Sequence, residues 1–352
     1  MPKTYIAKLP FISIVIANYN GEKYLRTCLT SLLKSSIKKY EVIVIDNNST
    51  DTSLKIVKEF QKKDSRIKIL KNKVNIGVPA SRNIAIQQCR GEIVILLDND
   101  TQVKKDSLEQ LIKPLKHSEV GAAQALLIDF ENRELIQMAG GHLIPQAIWL
   151  WGFYERRAYK DVKSKLGVTN IIAISAALAV KKKVLDKIGG YDPLLYNYTD
   201  DLDLSWRIWI AGFRVVLAYQ SIVYHYTKSV SRRVNIGTNR FDIYFHLAKN
   251  SFRSILKNYE IINMIRYLPI SLFVNLSRAL LVLIRRRDLS ALLATIYAIW
   301  WSFKNLADTI QSRAKTQRTR KFSDREIMKE VFVTGSLLDI YHKNYRSSKL
   351  LW

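Results

Sequence analysis

Short apolar runs alternate with stretches of helical spacing along the first third of the chain. Phe11–Ala17, Val42–Ile45, Ile67–Leu70 and Glu92–Leu97 are compact, mostly β-branched runs that read as strands buried on both faces. Between the first two, Gly21–Leu33 carries Tyr24, Leu25, Cys28, Leu29 and Leu32 at the spacing of one helix face. Helices are also expected up to about Lys62, capped from within Ser49–Asp51, and over Pro79–Gln88 and Ser107–Lys116. Strands alternating with helices at this spacing predict an α/β fold with a mostly parallel central sheet covered on both faces. Such sheets bind ligands at the carboxyl ends of their strands.

From Val120 to Val180 the pattern loosens. Gly121–Ile128 and Asn170–Val180 read as strands, and the segment between, with Trp149, Trp151, Phe153 and Tyr154, reads as irregular and aromatic. Lys182–Ile188 reads as a helix stopped by Gly189-Gly190, Leu202–Ala211 as a helix stopped by Gly212, and Phe213–Ala218 as a strand. His225 is expected on a short loop beyond that strand.

After Asn239 the composition changes. Ile261–Ile284 and Leu289–Phe303 are apolar with few acids; Arg266, Pro269, Asn275 and Arg278 interrupt the first. The second falls short of the roughly 20 residues a spanning helix needs. Arg285-Arg286-Arg287 separates them, and a basic tail, Arg313 to Lys321, follows. This predicts helices lying in the membrane interface with cationic side chains on lipid phosphates. A helical subdomain packed on the preceding domain, or a spanning hairpin, are the alternatives. The expected division is an α/β domain over 9–238 and a helical region over 239–352.

The 352 residues carry a formal net charge of +26, which favours an anionic partner: nucleic acid, anionic lipid or a phosphorylated substrate. The basic residues are spread along the chain and match no nucleic-acid recognition motif, so nucleic acid is not the expected partner. Two cysteines, Cys28 and Cys89, offer neither a disulfide framework nor a zinc spacing and suit a reducing compartment. No signal peptide is visible, since Phe11–Ala17 is too short for one.

Against this charge stand two acidic clusters, expected to be exposed. Asp98-Asn99-Asp100 ends a buried strand, where alternate side chains share a face and two carboxylates can hold one divalent cation on a diphosphate. Asp200-Asp201-Leu202-Asp203 opens a helix, where acids suit the dipole and one can serve as general base; Asp201 is the choice. Asp203 and Arg207 lie at i, i+4 and can pair. Asp46 ends its strand facing the crevice, placed either to accept the imide N–H of a pyrimidine base or to order the turn before Ser49 and Asp51. Gly77 permits close backbone approach in the loop Asn75–Asn83, and Arg82 near a helix N-terminus can meet an anion or order the strand-end aspartates. His225 is a candidate for metal or diphosphate contact.

In this order the pieces resemble family 2 of the inverting glycosyltransferases, with the GT-A fold, over roughly residues 9 to 230. The matching segments are Ile14–Asn20, Val44–Asp51, Asn75-Ile76-Gly77 with Arg82-Asn83, Leu97–Asp100, Gly189–Asp192, Asp200–Leu204 with Arg207, and His225. The resemblance implies a nucleotide-sugar site drawing on Ala17, Asn18, Asn20, Asp46, Asn48, Gly77, Arg82, Asp98 and Asn99. It implies Mg²⁺ or Mn²⁺ at Asp100 and His225, Asp201 as catalytic base, and Asp200, Asp203 and Arg207 in support. Within the family the chain looks most like enzymes that add rhamnose or similar sugars to lipid-linked or surface glycans. The implied donor is a UDP- or dTDP-sugar rather than a GDP-sugar. The implied place of work is the cytoplasmic face of the cell membrane. Three departures stand out: Asp200 where the family has Glu, Pro193 where it often has an acid, and Ser175-Ala176 where it often has Gly. The last leaves the donor sugar open. A basic nucleic-acid-binding protein and a catalytically silent membrane scaffold are the competing readings.

Overall fold

The computed structural model describes residues 10–146, 149–174, 176–226 and 240–333. Each expected early strand forms: β1 (Ile12–Asn18), β2 (Tyr40–Asp46), β3 (Ile67–Lys71) and β4 (Ile93–Asp98). Helices α1 (Glu22–Leu33), α2 (Ser53–Lys63) and α3 (Val78–Gln87) join them, so the strands run parallel in the order β3-β2-β1-β4. The period-2 pattern sorts the side chains: Ile12, Ile14 and Ile16 face one core with Leu25, Leu29 and Phe60, while Val15, Ile43 and Val94 face the other with Ala85 and Ile86. The cap of α2 differs from expectation. Thr52 is the N-cap and makes no side-chain cap bond, while Asp51 accepts from Ser53 N at 3.0 Å.

Beyond β4 the sheet turns mixed. The expected helix over Ser107–Lys116 is α4 (Ser107–Ile112) followed by a 3₁₀ turn at Lys113–Lys116, where Pro114 removes a helical donor. Strand β6 (Val120–Asp129) forms as expected, flanked by β10 (Ala177–Lys181) and β11 (Arg214–His225). Three expectations need correction. Only the end of Asn170–Val180 is a strand, because Asn170 and Ile172 make isolated bridges to Val216 and Gly141 instead. The segment read as irregular holds β7 (Ile136–Met138), β8 (Gly141–Ile144), β9 (Trp149–Gly152) and the one-turn helix α5 (Tyr159–Val162). The expected strand Phe213–Ala218 extends to His225 through a register shift between Ala218 and Ile222. The side chains of Trp149 and Trp151, and Ser175, lie outside the described residues; Phe153 and Tyr154 pack against the core.

Helix α6 (Lys182–Ile188) ends at Gly189, which takes φ +77. Helix α7 starts at Asp200 and runs to Ile210, burying Trp206 and Trp209. Among the described residues five helices follow: α8 (Arg240–Asn258), α9 (Ile261–Arg286), α10 (Ser290–Lys304), α11 (Leu306–Arg318) and α12 (Asp324–Val331). The expected boundary at 238/239 lies outside the described residues. The polar residues that interrupt the apolar stretch do not break α9, which continues through Pro269. The basic tail is helical in part and works as a cap. Arg313 donates to Leu256 O and Tyr259 O, and Gln317 to Lys257 O and Asn258 O, which satisfies the carbonyls at the end of α8.

Candidate active site

The carboxyl ends of β1, β2 and β4 meet at one edge of the sheet. Asn18 joins them: its amide donates to Asp46 Oδ1 at 3.0 Å and to Ser49 Oγ at 3.1 Å, and its Oδ1 accepts from Asn99 at 2.7 Å. Asp46 is buried and turned into its own turn, with Oδ2 accepting from Ser49 N at 2.9 Å. The expectation of a carboxylate facing the crevice is corrected; the turn-ordering alternative is the arrangement seen. Asn20 and Asn48 take left-handed φ of +49 and +68, and Asn20 Oδ1 accepts from Thr50 N. Asn47, missed in the sequence, fastens β2 to the next loop through Asn72, Asn75 and Ile76. In that loop Gly77 has φ +83, and a Cβ there would lie 2.6 Å from Tyr196 O. Only glycine fits.

The two acidic clusters, a hundred residues apart in sequence, meet on one guanidinium. Arg82 Nη2 lies 2.5 Å from Asp98 Oδ1, and Nη1 lies 3.1 Å from Asp201 Oδ1 and 3.6 Å from Asp200 Oδ2. Arg82 is 2% exposed, so these are interactions shielded from water. Tyr191, in the Gly-Gly-Tyr-Asp turn, donates its hydroxyl to Asp201 Oδ1 at 3.2 Å. Two donors on one oxygen fix the carboxylate's orientation. Asp200 and Asp201 sit in different surroundings: Asp201 is half-buried, whereas Asp200 is buried, and that burial, followed by the neighbouring Asp201, pushes the Asp200 carboxyl well above its usual range. Adjacent acids held apart in this way can divide roles, one neutral and one ionised.

The group of Asp98, Asp100 and His225 forms because β11 runs further than its sequence suggests. Residues Thr101–Val103 form a short strand, β5, antiparallel to β11 with Thr101 opposite His225, and Tyr226 N donates to Asp100 O at 3.1 Å. That pairing brings His225 Nε2 to 3.2 Å from Asp100 Oδ1. Asp98, Asp100 and His225 each offer a ligand atom within 4.8 Å of the others. His225 Nδ1 lies 2.8 Å from Gln137 Oε1, a contact that leaves Nε2 as the acceptor nitrogen. Two carboxylates and one such imidazole fit a divalent cation of the Mg²⁺ or Mn²⁺ kind. His225 therefore sits in the last strand, not on a loop past it. The exposure expected of the acidic clusters is also corrected, since Asp100 and Asp200 are buried.

A helix from beyond the clusters holds the segment that carries Asp201. From α8, Lys249 donates to Leu194 O at 2.6 Å and Asn250 to Asn197 O at 2.8 Å, and His246 stacks on Tyr196 at 5.2 Å. Burial pushes the Lys249 ammonium down to about 7. Arg253 forks onto Asp192 at 2.8 and 3.1 Å, and Lys257 bridges Asp192 at 2.5 Å and Asp203 at 2.9 Å. Asp203 also takes Arg207 at 2.7 Å, so the expected i, i+4 pair is one edge of a buried network. Burial would raise the Asp192 and Asp203 carboxyls, but Lys257 with Arg253 at Asp192, and Lys257 with Arg207 at Asp203, hold both below their usual range. None of His246, Lys249, Asn250, Arg253, Lys257 or Gln137 stands out in the sequence. Tyr191 lies in the Gly189–Asp192 segment of the resemblance.

The match with known proteins is extensive. The family model described as Glycosyl transferase family 2 matches residues 13–189, half of the chain. An uncharacterized glycosyltransferase of Methanocaldococcus jannaschii is 30% identical over 196 residues, 54% of this chain and 62% of that protein. The beta-monoglucosyldiacylglycerol synthase of Nostoc sp. is 28% identical over 204 residues, 57% of this chain and 41% of that protein. In these and the other leading curated relatives the match spans less than two thirds of the relative's length. Among solved structures, S. aureus TarS 1-349 in complex with UDP-GlcNAc superposes with a TM-score of 0.58 at 17% identity, over 88% of this chain and 89% of that one. The likeness carries the fold: a GT-A type α/β domain with a mixed sheet. The chain belongs to glycosyl transferase family 2.

Proposed function

We propose that the protein transfers a sugar from a nucleoside diphosphate-sugar to a hydroxyl of a lipid-linked or glycan acceptor, with inversion, at the cytoplasmic face of a membrane. The observation that carries this reading is the Arg82 bridge. One buried guanidinium ties Asp98, beside the cation-fitting cluster, to Asp201 at the head of α7. A diphosphate at the first and an acceptor hydroxyl at the second would then lie on opposite sides of one reacting carbon. Asp201 takes the hydroxyl proton as the oxygen attacks the anomeric carbon, and the bond to the diphosphate breaks with its electrons leaving on phosphate oxygen. Asp98, Asp100 and His225 would hold Mg²⁺ or Mn²⁺, which supplies charge neutralisation on the departing diphosphate. Arg82 and Tyr191 keep Asp201 aimed, while burial and the neighbouring Asp201 push the Asp200 carboxyl well above its usual range.

The nucleotide is read as UDP or dTDP. The loop around Asn47, Asn75 and Gly77 would frame the base. The UDP-GlcNAc complex of TarS supports a uridine donor, and the Mn²⁺ named with a mannosyltransferase of Pyrobaculum calidifontis (TM-score 0.53) supports the cation. The name of the Nostoc relative, a glucosyl lipid synthase, supports an acceptor with a lipid part.

Calorimetry with UDP, dTDP and GDP, with and without Mn²⁺, tests the donor site. Cation-dependent binding of a pyrimidine nucleotide, lost in Asp100→Ala, is expected. Asp201→Asn is expected to keep that binding and lose roughly 10²–10⁴-fold in transfer. Binding of none of the three would refute the reading, as would full activity of Asp201→Asn.

A further inference from the structure

Exposed apolar side chains are distributed unevenly over the described residues. Of the 20 large hydrophobics that are exposed, 14 lie in α9, α10 and the start of α11, and Leu289 lies in the turn between the first two. On α9, Ile262, Phe273 and Ile284 are 81%, 70% and 74% exposed; they follow one another at eleven-residue intervals, about three helical turns, and so share a face. The buried residues of α9, Tyr267, Ser271, Asn275 and Ala279, centre on the opposite side. In α10 the same division holds, with Leu293, Trp300 and Phe303 outward and Ala291, Ala294 and Ala298 inward. The inward faces pack on α8 through Phe252 and Phe245. The outward faces present a largely apolar layer along both helices, with exposed Arg266 among its side chains on α9.

We propose that this layer docks on an anionic lipid bilayer, with α9 and α10 lying in the plane of the membrane rather than across it. Among the described residues, α9 alone is long and apolar enough to span. Its partner forbids this. Helix α8 lies against α9 and buries Arg253 and Lys257 against Asp192 and Asp203, so a transverse α9 would carry that cluster and the Asp201 segment into hydrocarbon. Charge selects the bilayer over a second copy of the chain. Between Ile261 and Lys304 there are six basic residues, including Arg285, Arg286 and Arg287, and a single acid, Asp288, already paired to Arg240 at 3.0 Å. Two such faces would repel each other, whereas lipid phosphates complement them.

Flotation of the full chain with phosphatidylcholine vesicles, with and without phosphatidylglycerol, tests it. Binding to the anionic vesicles is expected, weakened at least about tenfold by Phe273→Asp with Trp300→Asp, since each change withdraws a large apolar side chain from the interface. Replacing Arg285, Arg286 and Arg287 by Ser is expected to flatten the salt dependence. UDP binding by calorimetry reports that the variants are folded. Equal vesicle binding by the Asp variants would overturn the proposal, as would no binding by the unaltered chain, or a soluble dimer that the Asp variants dissociate. Protease protection of the α9–α10 turn on the far side of sealed vesicles would replace in-plane docking with a spanning hairpin. Vesicle binding without nucleotide binding would leave the docking standing and sink the transferase reading alone.

Discussion

Asp192→Asn removes one charge from a buried cluster and little else. The cluster is balanced: Asp192, Asp203 and Asp308 face Arg207, Arg253 and Lys257. Arg253 and Lys257 are 1% and 2% exposed and cannot turn to water for compensation, whereas Asp308 is half exposed and contributes weakly. In the variant a buried cation loses its counter-ion, and an amide N–H must face either the guanidinium fork or the ammonium. Breaking a buried pair from one side costs about 3–5 kcal/mol. For a chain of this size that lowers Tm on the order of 10 °C if unfolding is cooperative. Thermal and urea unfolding followed by circular dichroism would measure it. Adding Lys257→Met to Asp192→Asn restores the balance of charge, so the double variant should recover a good part of the loss, and the coupling in the double-mutant cycle reads the pair directly. An Asp192→Asn protein within about 1 kcal/mol of the original, or a double variant no better than the single one, would refute the idea that this cluster fastens the helices to the catalytic half.

Arg82→Lys keeps the charge but cannot serve Asp98 and Asp201 with separate nitrogens, so transfer should fall roughly ten- to hundredfold by steady-state assay while the fold survives. Gly77→Ala places a Cβ against Tyr196 O at a left-handed φ, and nucleotide affinity by calorimetry should drop by more than the modest change in Tm would account for. Stability should fall in acid. Asp192 and Asp203 have folded values below their unfolded ones, and so does Glu41, for which burial raises the carboxyl but Lys68, Arg90 and Ser13 bring it down to about 2. Their contribution is complete above the ordinary carboxylate range and is lost as pH drops from roughly 4.5 toward 2. Urea midpoints between pH 6 and pH 3 check this, and Glu41→Gln should flatten the limb.

What the sequence made legible is what periodicity and local motifs encode. Ile12, Ile14 and Ile16 against Val15 already announced a two-faced strand, and Asp98-Asn99-Asp100 after an apolar run announced a strand-end site. The end of β11 was hidden because a register shift after Ala218 interrupts the alternation, which concealed how His225 comes to lie beside Asp100. Gln137 sits on a three-residue strand with no pattern to reveal it. On α8, Lys249, Asn250, Arg253 and Lys257 look like a solvated polar face, and only their partners some sixty residues upstream make them interior. Long-range pairing of polar groups leaves no local periodicity to read.

One consequence of the Arg82 bridge concerns cooperativity. Asp98, Asp200 and Asp201 converge on a single guanidinium and Asp100 lies beside them on His225, so even with Asp200 neutral the site keeps an excess of negative charge inside a protein that is strongly positive overall. A bare nucleoside diphosphate, itself an anion, meets repulsion there. A divalent cation gains affinity from the same excess, and each ligand improves the other's binding by the same free energy, as linkage demands. Titrating nucleotide at fixed cation, and cation at fixed nucleotide, should give one coupling constant from both directions. The excess charge would thus act as a filter that admits the two as a pair and excludes the uncomplexed nucleotide.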